Sequence, residues 1–207
     1  EKILSWLLSQ LAQDKAVHLE DRSVELSQLA VQGPKSRELL MSLGGTALEG
    51  LKLHHTCYST IAGLSCLFAR TGYTGELGYE LYLPADLAAQ AWEQLLKVGQ
   101  SEGLKPAGLG ARDLLRLDMG YLLYGNDISE ETSPLEAGAE WVVNFEKGEF
   151  VGRASLLAQR TQGLARRLVG FELLEKAVPR HGFNIVSTGP ESPPIGTVTS
   201  GNLSTVL

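Results

Sequence analysis

The segment Arg70-Thr71-Gly72-Tyr73-Thr74-Gly75-Glu76-Leu77-Gly78-Tyr79-Glu80 places three glycines and two threonine hydroxyls directly ahead of a run that reads as a strand. Glycine has no Cβ and tolerates φ > 0, so Gly72, Gly75 and Gly78 permit tight turns and a close approach of bare backbone to a ligand. In residues 79–83 the two-residue period puts Tyr79, Leu81 and Leu83 on one face and Glu80 with Tyr82 on the other. A carboxylate and a phenol then project together. An ionised carboxylate accepts two parallel hydrogen bonds from the amidine-like N–H/NH₂ edge of a heterocycle, which makes Glu80 the first candidate ligand contact. By residue type alone, an ordinary hairpin with Glu80 in water is the commoner arrangement.

Upstream, residues 57–62 and 65–69 read as a hairpin joined by Gly63-Leu64 and leading into the glycine-rich segment. Residues 29–33 form a short strand, and Pro34 opens a helix that runs to Leu43 and is ended by Gly44-Gly45. Before these come an amphipathic helix from residue 2 to about residue 13, with Ile3, Leu4, Leu7, Leu8 and Leu11 in one stripe, and a strand at 16–20. Downstream, residues 87–101 read as a further amphipathic helix. Strands followed by a long helix imply an α+β sandwich.

A helix at 111–119, closed by Gly120, sets Arg112 and Arg116 four residues apart on one face. Taken alone, Arg112 reads as an exposed helix arginine paired with Asp113 or a neighbouring Glu, and Arg116, Asp113 and Asp118 read as intrahelical or interdomain pairs. Residues 121–127 are a turn and 140–146 a strand. Composition shifts near Lys147, where a charged stretch precedes a helix at 153–159, strands at 168–174, 183–186 and 195–199, and a loop at 188–194. Lys147 and Arg153 could steer an acidic partner or simply be solvated.

With 207 residues the chain can bury a substantial core. A net charge of −6 without a Lys/Arg block argues against nucleic acid as a partner. Cys57 and Cys66 are too few for a disulfide framework and lack histidines at ligand spacing, so both read as reduced core residues and no metal site is expected. His18, His54, His55 and His181 have no catalytic-looking neighbours. No run of about 18 apolar residues exists, so a soluble protein without a membrane span is expected. The chain opens inside a helix and closes in mid-pattern, and so reads as a piece cut at both ends.

Six motifs in order, residues 72–80, Gly108-Leu-Gly-Ala-Arg-Asp-Leu-Leu-Arg-Leu117, Leu123-Tyr-Gly-Asn-Asp127, Ser133-Pro-Leu-Glu-Ala-Gly138, Phe150-Val-Gly-Arg153 and Ile195-Gly-Thr-Val-Thr-Ser-Gly201, resemble the aminomethyltransferase (T-protein) family of the glycine cleavage system. Leu29-Ala-Val-Gln-Gly-Pro34 matches as well. Asn202 and Thr205 depart from that family's usual Thr and Pro.

The resemblance implies a multi-domain α+β T-protein-like fold: residues 1–27 the remnant of a preceding α+β domain, 28–147 a ferredoxin-like folate-binding domain, and 148–207 the start of a β-rich, barrel- or jelly-roll-like C-terminal domain. It implies transfer of a methylene from aminomethyl-lipoate on the lipoylated H-protein to tetrahydrofolate, with release of ammonia. By the same resemblance Glu80 holds the pterin edge, Arg112 binds folate carbonyl or carboxylate oxygens through parallel N–H bonds, and Tyr73, Tyr124 and Trp141 form pocket walls. The family's catalytic aspartate belongs to an Asp-Asp motif upstream of this chain, so no residue here is assigned a catalytic role. A cytoplasmic location, mitochondrial in a eukaryote, goes with that reading. Folate-dependent demethylases, the folate domains of dimethylglycine and sarcosine oxidoreductases, and a non-catalytic folate-binding scaffold of iron–sulfur protein maturation share motifs with this family. The scaffold's cysteine-containing signature is absent at Lys147-Gly-Glu-Phe-Val-Gly-Arg153.

Overall fold

The computed structural model describes residues 2–11, 16–187, 189 and 192–204. The chain gathers into two units, residues 1–72 with 76–106, and residues 73–75 with 107–207.

The first unit carries α1 (Lys2–Leu11), β1 (Leu26–Gln32), α2 (Ser36–Ser42), β2 (Thr56–Ile61), β3 (Leu64–Ala69), β4 (Gly78–Pro84) and α3 (Ala88–Gly99). The four strands form one sheet in the order β1-β4-β3-β2, every pairing antiparallel. The expected face division of β4 holds: Tyr79, Leu81 and Leu83 are buried, while Glu80 and Tyr82 are only half-buried on the opposite face. The buried face joins Val31, Ile61 and Phe68 from the neighbouring strands to Leu40 of α2 and Leu95 of α3. Truncating a fully buried leucine such as Leu81 to alanine removes its transfer energy and leaves a cavity, about 2–5 kcal/mol of stability.

The sequence signals at the start and end of α2 act through backbone bonds. Gly33, at φ 120°, donates its N–H to Leu77 O at 2.7 Å, and the Ser36 hydroxyl donates to the same carbonyl at 3.2 Å. The helix entry is thereby tied to the residue before β4. At the other end Gly44 N–H donates to Met41 O at 3.1 Å and Gly45 N–H to Leu40 O at 3.0 Å, a Schellman closure that Gly44 permits at φ 107°.

Several expectations are corrected. The element order β-α-β-β-β-α is not the β-α-β-β-α-β order of a ferredoxin-like domain, because the hairpin strand β3 passes directly to a third consecutive strand that returns beside β1. The hairpin connection is Ala62-Gly63, not Gly63-Leu64: Leu64 pairs with Ile61, and φ values of 49° and 82° at the two turn residues match the primed turn that strand twist favours. Residues 16–20 form a turn and irregular chain rather than a strand. The helix at the amino end is described to Leu11, and residues 12–13 of the expected helix lie outside the described residues. No residue of α1 is buried.

In the second unit, α4 (Leu109–Asp118) starts two residues before its expected position and Gly120 follows it at φ 67°. Single 3-10 turns at Glu140–Val142 and Phe145–Lys147 replace the expected strand at 140–146. Then come α5 (Arg153–Gln162), β5 (Asn184–Val186) and β6 (Pro194–Thr197). β5 and β6 pair antiparallel, and they are the strands found after Lys147 among the described residues. Residues 168–174 are irregular, although Leu168 N–H donates to Glu136 O at 2.8 Å. A strand is defined by its ladder, and neither 140–146 nor 168–174 has a partner among the described residues. Residues 188, 190 and 191 of the expected loop, and Thr205, lie outside the described residues.

Among the described residues no helix is long and apolar enough to cross a membrane, and no group of three or more His, Cys, Asp or Glu residues could hold a metal ion.

Candidate functional site

Glu80 stands on β4 opposite Ala30 of β1 and Ala69 of β3. Two small neighbours leave its side chain room to lie across the sheet. One carboxylate oxygen accepts from Gln28 Nε2 at 2.6 Å, and the other accepts from the Thr71 hydroxyl. Gln28 pairs in register with Tyr82, which pairs in turn with Leu67, and Leu67 with Tyr58. A polar and aromatic surface therefore surrounds the carboxylate. Burial first, and the Glu80 charge second, push the Tyr82 phenol above its ordinary pKa. Two of the roughly four lone-pair positions of Glu80 are used by Gln28 and Thr71, so acceptor capacity remains for a second pair of N–H donors.

In the second unit the Arg112 guanidinium lies 4.6 Å from the centroid of the Tyr73 ring, a cation–π contact. Tyr73 also stacks on Tyr121, with centroids 5.6 Å apart and planes at 23°, and its hydroxyl donates to Leu122 O. The ring is held at its face and its tip. Gly75, at φ 78°, lets Met119 rest against the same short segment: a Cβ there would meet Met119 Cε at 2.8 Å. Around Tyr73 and Arg112 opens a cleft of about 240 Å³, lined also by Leu109, Asp113, Arg116 and Leu123. Arg112 makes no ion pair among the described residues, so its N–H donors face this cleft and water. The pairing of Arg112 with Asp113 does not occur; Asp113 turns to Arg116 at 2.7 Å instead. Adjacent residues on a helix diverge by about 100°, whereas residues three apart share a side.

Arg116 is buried, with 1% of its side chain exposed. It donates to Tyr121 O at 3.0 Å, to Ser200 Oγ at 2.8 Å and to Asp127 Oδ2 at 2.5 Å. Asp127 accepts in addition from Thr199 Oγ1 at 2.6 Å and from Leu123 N–H at 3.0 Å. Burial alone would push the Asp127 carboxyl up, but the hydrogen bonds from Thr199, Leu123, Ser200 and Arg116 outweigh it and hold the group below its ordinary value. The structural reading of Arg116 is therefore what the geometry shows, and its network fixes α4 beneath the cleft.

Tyr124 is 62% exposed and its hydroxyl reaches Glu130 at 3.3 Å. Trp141 is 86% exposed in its 3-10 turn. Neither lines the cleft. Sequence reasoning missed Gln28, Thr71 and Tyr121. The strand period could have placed Gln28 on the Glu80 face once the β1–β4 pairing was known.

The GCVT N-terminal domain family matches residues 1–147. The aminomethyltransferase of Halothermothrix orenii is 47% identical over 207 residues, covering 100% of this chain and 57% of that protein. The aminomethyltransferase of Thermoanaerobacter sp. is 47% identical over 194 residues, covering 92% of this chain and 51% of that protein. The chain thus spans about half the length of the curated relatives it matches. A crystal structure of glycine cleavage system aminomethyltransferase T from Bartonella henselae superposes with a TM-score of 0.62 at 25% identity, covering 87% of this chain and 73% of that one. With the domain match running over most of its length and agreeing with the fold, the chain belongs to the GCVT family.

Proposed function

We propose that this chain is part of a tetrahydrofolate-dependent aminomethyltransferase of glycine cleavage, which takes the methylene of aminomethyl-lipoate on a lipoylated H-protein and releases ammonia. The observation that carries the reading is the Arg112 guanidinium held over Tyr73 at a cleft of about 240 Å³, in a chain whose relatives are named aminomethyltransferases. Those names favour this activity over the demethylase, oxidoreductase and iron–sulfur maturation readings.

The residues present fit a reduced folate. Glu80 is acceptor-only when ionised and keeps lone pairs for the N–H edge of a pterin. Arg112, without a carboxylate partner among the described residues, offers a planar pair of donors to a folate carbonyl or carboxylate. Bound tetrahydrofolate supplies the nitrogen nucleophile that takes the methylene carbon. The part played by these residues is to bind and orient, because holding the acceptor in an attack-ready pose removes much of the entropic barrier to a two-partner reaction. The catalytic carboxylate is assigned to no residue of this chain. Tyr73 is the wall on which Arg112 rests, and Tyr124 and Trp141 remain candidate outer contacts. The three-part division at residues 27 and 147, with β5 and β6 opening a β-rich C-terminal domain, belongs to the same proposal; the family match ending at residue 147 supports its second boundary. The cytoplasmic location, mitochondrial in a eukaryote, belongs to the same proposal.

Titration calorimetry of tetrahydrofolate into the complete protein tests the site. Glu80→Ala and Arg112→Ala are each expected to lose about 1.5–3 kcal/mol of binding, the range for charge-assisted hydrogen bonds. Losses below about 1 kcal/mol in both variants would refute it. Ammonia release from aminomethylated, lipoylated H-protein tests the reaction.

A further inference from the structure

The carboxamide of Gln32 fills the space of two missing side chains. Gln32, the last residue of β1, lies in register with Gly78. A Cβ on Gly78 would sit 2.7 Å from Gln32 Nε2, and a Cβ on Gly72 would sit 2.8 Å from Gln32 Cδ; both would collide with Oε1. Neither glycine has a positive φ, so the backbone at both positions would accept alanine. What a methyl there would meet is the Gln32 carboxamide, which would have to move aside. Nε2 donates to Thr71 O at 3.3 Å and to Tyr79 O at 3.2 Å. Oε1 is buried and has no hydrogen-bond partner among the described residues. Flipping the amide would set this oxygen against two carbonyl oxygens, so the two N–H bonds fix the orientation and leave Oε1 pressed on the glycines.

Thr71 and Tyr79 are the residues whose carbonyls Gln32 ties together, and they flank the loop that delivers Glu80. Thr71 donates its hydroxyl to one Glu80 oxygen. We infer that Gln32 is a positioning residue for pterin binding: its carboxamide, clamped between Gly72 and Gly78, sets Thr71, and Thr71 aims the Glu80 carboxylate. This rests on the binding role proposed for Glu80.

The test uses the complete protein and its tetrahydrofolate kinetics. Gln32→Met keeps the length of the side chain but cannot donate to either carbonyl. It is expected to raise the KM for tetrahydrofolate about tenfold with kcat within about twofold, the signature of lost uniform binding. Thr71→Val should give a similar rise, and the double variant no more than the larger single, because one route carries both effects. Gly78→Ala, which displaces the carboxamide without altering residue 32, is expected to match Gln32→Met and serves if that variant folds poorly. A fall in melting temperature with KM unchanged in Gln32→Met and Gly78→Ala overturns the inference, as do additive effects in the double variant. Glu80→Gln separates the two levels. Unchanged folate binding in Glu80→Gln removes the underlying reading and this inference with it, whereas impaired binding there with a normal KM in Gln32→Met removes the Gln32 inference alone.

Discussion

Arg116 and Asp127 meet at 2.5 Å with 1% and 7% of their side chains exposed. Charges this far from water are stable only when their hydrogen-bonding capacity is used, and here five residues besides the pair, Asp113, Tyr121, Leu123, Thr199 and Ser200, use it. Removing one member strands the other. Arg116→Met is expected to destabilise the protein by about 3–5 kcal/mol in urea unfolding. A change below about 1 kcal/mol would mean that the pair is solvated.

The same network sets a pH dependence. Asp127 has a lowered folded pKa, so its contribution is complete above the ordinary aspartate value, about 3.9, and is lost as pH falls through the folded value. Asp127→Asn should therefore flatten the fall of stability below about pH 4, read as denaturation midpoints across acid pH. Glu136, lowered by the Ser133 N–H first and Arg166 second, adds a weaker acid limb of the same sign.

The contact between Arg112 and Tyr73 is open to a double-variant cycle. Arg112→Ala and Tyr73→Leu should couple by about 0.5–1 kcal/mol in unfolding free energy, the range for an exposed cation–π pair. Strict additivity would show that the stacking has no energetic weight.

Ala62 occupies a left-handed conformation at φ 49°, which disfavours a Cβ. Asn at the first position of such a turn, before Gly63, suits it better. Ala62→Asn is expected to raise stability by about 0.5–1 kcal/mol, measured as a shift in melting temperature. A loss would place the turn in another conformation.

Thiol labelling reports on the sheet. Burial, and then the nearby Cys57, push the Cys66 thiol up to about 12. At pH 8 it stays protonated, and iodoacetamide followed by mass spectrometry should mark Cys57 well before Cys66. Rapid labelling of Cys66 without denaturant would contradict a closed core.

What the sequence made legible was local. Period-2 alternation in residues 79–83 correctly separated Glu80 from the core face, and glycine and proline signals gave α2 and α4 to within two residues at each end. Residues 140–146 and 168–174 are short apolar-rich runs without that alternation and form no strand, because a ladder needs a neighbour that local composition cannot supply. The candidate site divides in the same way. Glu80 and Arg112 stood out by residue type and motif, but Gln28, 52 positions from Glu80, becomes its partner only through the β1–β4 register. The choice of Arg116 by Asp113 was within reach of helix spacing, since residues three apart face each other and adjacent ones do not.

The clamp of Gln32 on Gly72 and Gly78 makes one position of β1 answerable, during evolution, to two glycine positions much later in the chain. A homologue that gains a methyl at the site of Gly78 has to shorten or reorient whatever stands at the site of Gln32, so the two should drift as a pair. Substitution tables that score each column independently will underrate how strongly that drift is constrained.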